Sequence, residues 1–378
     1  MICTPTRLFC LLSLLLCYCS DSSLDSHNGT PLSPNEEEAL PEDMVKVLSS
    51  GKSVLLGTND SNAKSMEKPS MKVVFSYDFF IEKNEVTCGE FNTLMKKETG
   101  LQINCKNPLL PATEITYYDA VLYANARSKA EKKDTAYTYS RAIFNDAKNC
   151  TSLEGFNLQM DKEAYRLPTE AEWTLVATEG WDPENGWNAA NSNYTPQPVC
   201  TEALKLSSGI CDMAGNVMEW VNDWLGHFRD TTLSNYVGAP DGGSLGERVV
   251  KGGSFRNKAS AVNLYARGDV YTVTSSTKAN YVGFRLAYGR IPNPVWISSN
   301  GFVSESRILP LANSSTVASK IGSYNTKLVF RKDATGNLAY IDYSSGVPSV
   351  VEIHDTLEAY HPDISPDGNR VAFCTKIE

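Results

Sequence analysis

Clusters of lysine and arginine are missing from this chain, and its formal net charge is -9. A nucleic-acid surface needs gathered positive charge, so that class of partner is excluded. Histidine is scarce. There are four, His27, His227, His354 and His361, with no two at metal-ligand spacing within the central part of the sequence. A metal centre built on imidazoles is thereby excluded. The absence of any Cys-x-x-Cys argues against a thiolate metal site. The block Lys251-Gly-Gly-Ser-Phe255 lacks a Gly-Lys-Ser/Thr ending, so its glycines do not form a nucleotide loop. No Gly-x-Ser-x-Gly surrounds Ser254, which removes the nucleophile elbow of a hydrolase. Past the N-terminus no apolar run could act as a membrane helix.

What remains is a globular composition, 42% hydrophobic and 10% aromatic, in a chain of 378 residues. That length holds two domains or one large one. Arg7 is the only charge before Leu8-Phe-Cys-Leu-Leu-Ser-Leu-Leu-Leu-Cys-Tyr-Cys19, the pattern of a signal peptide over residues 1–19. Leu16-Cys17-Tyr18-Cys19 resembles a bacterial lipobox with Cys19 as the acylated residue, although Tyr18 is larger than the residue usual there. Residues 20–70 are rich in Ser, Asn, Asp, Glu and Pro, which predicts a disordered tether, with order beginning near Val73.

Three helix starts share one chemistry: Thr87-Cys-Gly-Glu90, Thr116-Tyr-Tyr-Asp119 and Thr169-Glu-Ala-Glu172. In each, the Thr hydroxyl can accept from a backbone N–H while the acid three residues on answers the Thr's own N–H. The first helix presents Phe91, Leu94 and Met95 on one face and stops at Gly100; the third carries Trp173 and Val176 and stops at Gly180. Glu170 and Glu172 lie on different sides of a helical turn, which disfavours a paired acid and base. Arg166 and Glu172 suit an internal ion pair. Long irregular segments between short helices and strands predict an α+β domain with little regular secondary structure. Beyond residue 290, Lys327-Leu-Val-Phe-Arg, Leu338-Ala-Tyr-Ile-Asp and Ser349-Val-Val-Glu-Ile read as strands. Ser365-Pro-Asp-Gly368 reads as a tight turn before another. This β-rich segment, 291–378, resembles one repeat of a TolB-like β-propeller, and a single blade cannot close a ring.

After processing, the cysteines are Cys88, Cys105, Cys150, Cys200, Cys211 and Cys374, with Cys19 at the new end. Cys88 with Cys105 and Cys200 with Cys211 are the pairs close in sequence, but spacing leaves the connectivity open.

Four blocks in order, Tyr165-Arg-Leu-Pro-Thr-Glu-Ala-Glu-Trp173, Cys211-Asp-Met-Ala-Gly-Asn-Val-Met-Glu-Trp220, Lys251-Gly-Gly-Ser-Phe255 and Val282-Gly-Phe-Arg285, resemble the formylglycine-generating enzyme (sulfatase-modifying factor) family. The resemblance covers residues 71–290 and implies that family's α+β fold, related to C-type lectins. It also implies a calcium site, with the Asp212 side chain and the carbonyls of Met213, Gly215 and Val217 as ligands. Hard oxygen donors in one small turn are what calcium requires. A gapless count from Ser254 puts Asn257 and Val262 where catalytic relatives carry their cysteine pair, and residues 255–285 contain no cysteine. Copper-thiolate chemistry needs that sulfur, and the iron-dependent relatives need a histidine cluster, so neither copper nor iron is expected. The expectation is an exported, lipid-anchored, non-catalytic binding or structural module, an outer-membrane lipoprotein of the bacterial envelope with a protein, glycan or peptide ligand. The alternative is an oxidoreductase of the same superfamily with different chemistry, in a groove holding Ser254, Arg267, Asp269 and Arg285.

Overall fold

Each of the three Thr-acid boxes starts a helix. In the computed structural model, residues 41–201, 208–242, 246–268, 273–297, 303–304, 314–331, 337–344, 350–353 and 359–375 are described. The elements that frame the site are, in chain order, β1 (Met44–Val47), β2 (Ser53–Leu56), β3 (Met71–Val74), β4 (Phe79–Glu82), α1 (Cys88–Glu98), α2 (Tyr117–Ala130), β5 (Tyr165–Arg166), α3 (Glu170–Ala177), β6 (Met218–Trp224), β7 (Thr232–Ser234), β8 (Arg248–Lys251), β9 (Val282–Phe284) and β10 (Ala287–Tyr288). The caps close as expected, with Thr87, Thr116 and Thr169 each accepting from the N–H three residues on and each receiving the reciprocal carboxylate. Phe91 and Met95 are buried and Leu94 packs against the core. Gly100 takes a φ of 77° just past the helix end.

Three small sheets carry the domain. One is antiparallel, in the order β1-β4-β10-β5. A second has the order β8-β6-β9, with β6 antiparallel to β8 and parallel to β9. The third sets β3 between β2 and β7, antiparallel to the first and parallel to the second. Between them lies an aromatic core in which Phe91 stacks on Tyr123 at 5.6 Å and Tyr123 meets Phe284 edge-on at 5.3 Å.

The tether expectation gives way at residue 41. Met44 pairs with Glu82 and Val54 with Val73, so that β1 and β2 are strands of the domain itself. Val54 and Leu56 are buried while Leu55 between them is exposed. Burying such a side chain is worth about 1.5–3 kcal/mol, enough to hold a strand of four residues against a ready-made neighbour. Average composition hid this alternation, because polar residues surround it. The unit runs from Asp43 onward.

In the C-terminal segment, Lys327–Arg331, Leu338–Asp342 and Val350–Ile353 form an antiparallel sheet, and Ala359–Ile364 pairs with Val371–Thr375. The Ser365 turn closes with Gly368 N–H donating to Ser365 O at 2.8 Å. A helix at Ser314–Ile321 was not anticipated in this β-rich stretch. The disulfides are Cys88–Cys105 and Cys200–Cys211, while Cys150 is a buried thiol and Cys374 an exposed one. Among the described residues no helix is long and apolar enough to cross a membrane. Cys19 lies outside the described residues.

Candidate functional site

The turn that leads into β6 is wound tightly by three positive φ angles, 59° at Asp212, 89° at Gly215 and 52° at Asn216. Glycine is required at 215, because a β-carbon there would stand 2.3 Å from the Trp187 carbonyl oxygen. Asn216 N–H donates to that same carbonyl at 2.8 Å, and Gly215 N–H donates to Gly252 O at 2.9 Å. The turn is therefore fixed from both sides.

Asp212 is 3% exposed, and its Oδ2 accepts from Cys200 N–H at 2.6 Å. Its Oδ1 is buried with no hydrogen-bond partner among the described residues. Behind it stands Glu85, fully buried, which accepts from Asn216 Nδ2 at 2.6 Å and from Val217 N–H at 3.1 Å. Glu219 completes the group. It takes Arg285 in a two-pronged pair at 2.7 Å on each oxygen, and Trp173 Nε1 at 2.8 Å. Three carboxylates thus share one guanidinium. Burial pushes Asp212 up to about 6, with the Glu219 charge adding to the rise, while Cys200 N–H and Arg285 pull back. Burial raises Glu85 well above the carboxylate range, and the charges of Asp212 and Glu219 raise it further.

The chemistry of this donor set fits a hard cation. Surplus buried negative charge needs compensation, and Asp212 Oδ1 is a charged oxygen left available. No group of three His, Cys, Asp or Glu that could hold a metal ion occurs among the described residues. A cation here would therefore depend on backbone carbonyls such as those of Met213, Gly215 and Val217 for the rest of its shell. Glu85 was missed by sequence reasoning, since it lies over a hundred positions from the turn. A lone acid after Asn84 carried no signal.

Of the four residues expected to line a groove, the three described ones, Ser254, Arg267 and Arg285, are buried. Arg285 is fully buried, tied to Glu219 and to the carbonyls of Glu82, Lys83 and Cys211. Arg267 is buried against Glu170 at 2.8 Å, with further bonds to Met66 O and Gly226 O and its guanidinium over the Phe228 ring. Ser254 is buried, its hydroxyl meeting Asn257 Oδ1 at 3.0 Å. Asp269 lies outside the described residues. A buried guanidinium is tolerable only when paired, so both arginines serve the interior.

A cleft of about 300 Å³ opens instead beside the end of β8. Its floor includes Val250, Lys251, Gly252 and Gly253, and one wall is made by Asn62, Ala63, Lys64 and Glu67. Asn257 and Val262 both line it. Val262 packs on Gly253, where a β-carbon would come within 2.7 Å of the valine. His227 is exposed, as expected for a surface residue.

Beneath the cleft, Glu170 also takes Lys251 Nζ at 3.3 Å and gives its own N–H to Asp223 Oδ2 at 2.9 Å. Burial pushes Asp223 up to about 8, with the Glu170 charge adding, while the Glu170 N–H and Arg267 lower it. The folded protein then keeps a proton that an unfolded aspartic acid loses near pH ~4. Stability falls as the pH rises from that point to about 8 and is level above it. Asp223→Asn keeps an oxygen for the Glu170 N–H and is expected to flatten the fall. Melting series from acid to alkaline pH test this, and parallel curves for the two proteins would contradict it.

Short sheets, capped helices and long loops pinned by buried ion pairs define the fold of the sulfatase-modifying-factor class. Residues 31–289 match the model of the sulfatase-modifying factor enzyme 1-like domain, and the chain belongs to that family. It is 29% identical over 189 residues to the chaperone protein LppX of Paenibacillus barcinonensis, covering 42% of this chain and 66% of that one. It is 31% identical over 147 residues to the formylglycine-generating enzyme of Thermomonospora curvata, covering 32% of this chain and 48% of the enzyme. In both cases it spans less than two thirds of the relative's length. Among solved structures, Treponema denticola variable protein 1 aligns with a TM-score of 0.51 at 25% identity, over 65% of this chain and 94% of that one.

Proposed function

We propose that this protein is an exported, lipid-anchored, non-catalytic binding module of the bacterial envelope, with the cleft beside β8 as its ligand site. The observation that carries this reading is the lining of the cleft. Asn257 and Val262 stand there, in the positions that the family resemblance gives to a reactive cysteine pair, and no cysteine lines it. Neither side chain can bind copper as a thiolate does or pass electrons to oxygen. Lys251, at the floor of the cleft, is held by Glu170, which also pairs with Arg267 beneath it. Similarity to a protein named as a chaperone supports binding over turnover.

In this reading calcium occupies the 212–217 turn, held by the Asp212 carboxylate and the carbonyls of Met213, Gly215 and Val217. The ion supplies positive charge to a group of carboxylates that has too little. The chain's own residues fix the turn and hold the Asp212 oxygen out of water. The C-terminal strands are read as part of a propeller-like unit, and Cys19 as the anchor.

Two experiments bear on this. Incubating the protein with a Cys-x-Pro-x-Arg peptide, copper, reductant and oxygen should yield no aldehyde by mass spectrometry. Turnover above the blank, lost on mutating any one cysteine, would establish the oxidoreductase alternative. Cys19→Ser should release the protein from membranes. A variant that stays membrane-bound and unprocessed at the same mass would rule out the anchor.

A further inference from the structure

The segment ending at Cys200 is strapped across the 212–217 turn. Gln197 N–H donates to Asn216 Oδ1 at 2.9 Å, and Asn216 Nδ2 returns a bond to Gln197 O at 3.2 Å. Cys200 N–H donates to Asp212 Oδ2 at 2.6 Å. The covalent tie is the disulfide from Cys200 to Cys211, the residue just before Asp212. Cys200 and Asp212 hold φ angles of 56° and 59°, a region that residues with a β-carbon occupy only when their surroundings impose it. The disulfide and the Cys200–Asp212 bond tie these two positions together.

We infer that the Cys200–Cys211 disulfide is a redox latch on this turn: closed, it fixes the Asp212 carboxylate in one orientation, and reduced, it frees that carboxylate and weakens the turn's hold on a divalent cation. The second half rests on the calcium reading above. Cys200 is half-buried and Cys211 fully buried, so an incoming thiolate meets Cys200 first. With a dithiol reductant the S–S bond breaks, Cys200 and Cys211 each gain a hydrogen, and the dithiol closes to its own disulfide. Once the link is gone, only hydrogen bonds hold the strap. Each of these exchanges with water at small net cost, and the strained φ angles relax.

The test compares the parent, the dithiol-reduced parent, Cys200→Ser/Cys211→Ser, and Cys88→Ser/Cys105→Ser as the control for losing the other disulfide. Amide hydrogen exchange at 212–217, measured without calcium, should quicken about tenfold or more in the first double variant and in the reduced parent, the scale of one hydrogen bond to a charged group. It should stay unchanged in the control. Unchanged exchange in both the variant and the reduced parent overturns the latch, whatever calcium does. Calorimetric titration with calcium should give a Kd raised by a similar factor in the same two samples. A parent that takes up no calcium while exchange still quickens overturns the cation half alone. Should Cys200→Ser/Cys211→Ser fail to fold, the reduced parent carries both readouts.

Discussion

Glu170→Gln is expected to cost the fold about 3–5 kcal/mol, the scale of breaking a buried ion pair by removing one partner. Glu170 is fully buried and is the shared partner of two cations, Arg267 at 2.8 Å and Lys251 at 3.3 Å. Glutamine keeps the shape and removes the charge. It leaves a guanidinium with nowhere to lose its proton, beside an ammonium that burial already disfavours. Glu219→Gln is the matched comparison. It strips Arg285 of its close partner, but the Glu85 and Asp212 charges also act on Arg285 and can take over part of the role. Its cost should be the smaller of the two. Denaturant midpoints for parent and both variants decide the matter, and an equal or reversed order would show that the carboxylate surplus around the turn is not real.

Chelation should lower the melting temperature of the parent and leave Asp212→Ala untouched. A ligand that binds only the folded state stabilises it by RT ln(1 + [L]/Kd), about 2.7 kcal/mol at a hundredfold excess over Kd. Asp212 contributes the charged oxygen among the proposed ligands, with its Oδ1 buried and lacking a hydrogen-bond partner among the described residues. Asp212→Asn separates charge from geometry, since its amide oxygen can still accept from Cys200 N–H. It should bind calcium weakly while keeping the shape of the turn. Equal melting of the parent with and without chelator would dispose of the site.

Local rules were readable in the sequence wherever one short segment satisfied itself. The Thr-x-x-acid boxes, the Arg166–Glu172 pair and the Ser365 turn each need only neighbours in the chain. What long-range burial decides was not legible. Arg267 and Arg285 were expected in a groove, and both are buried ion-pair partners. Their carboxylate partners Glu170 and Glu219 lie 97 and 66 positions away. Asn62 and Glu67 could not be assigned to a cleft from a stretch whose average composition resembles linker. Glu85 shows the same limit, for its role exists only once the chain has returned to it at Asn216.

The wall formed by residues 62–67 has a consequence for how this domain assembles and comes apart. Arg267 reaches back across 201 positions to the Met66 carbonyl, joining the wall to the opposite end of the cleft. Closing so long a loop costs chain entropy, so an intact cleft requires both ends of the domain to be in place. An occupant spanning floor and wall would bridge those ends. Its grip would show as slower unfolding wherever the contacts it bridges are broken in the unfolding transition state. The lifetime of the folded protein then becomes a way to detect the ligand before its identity is known.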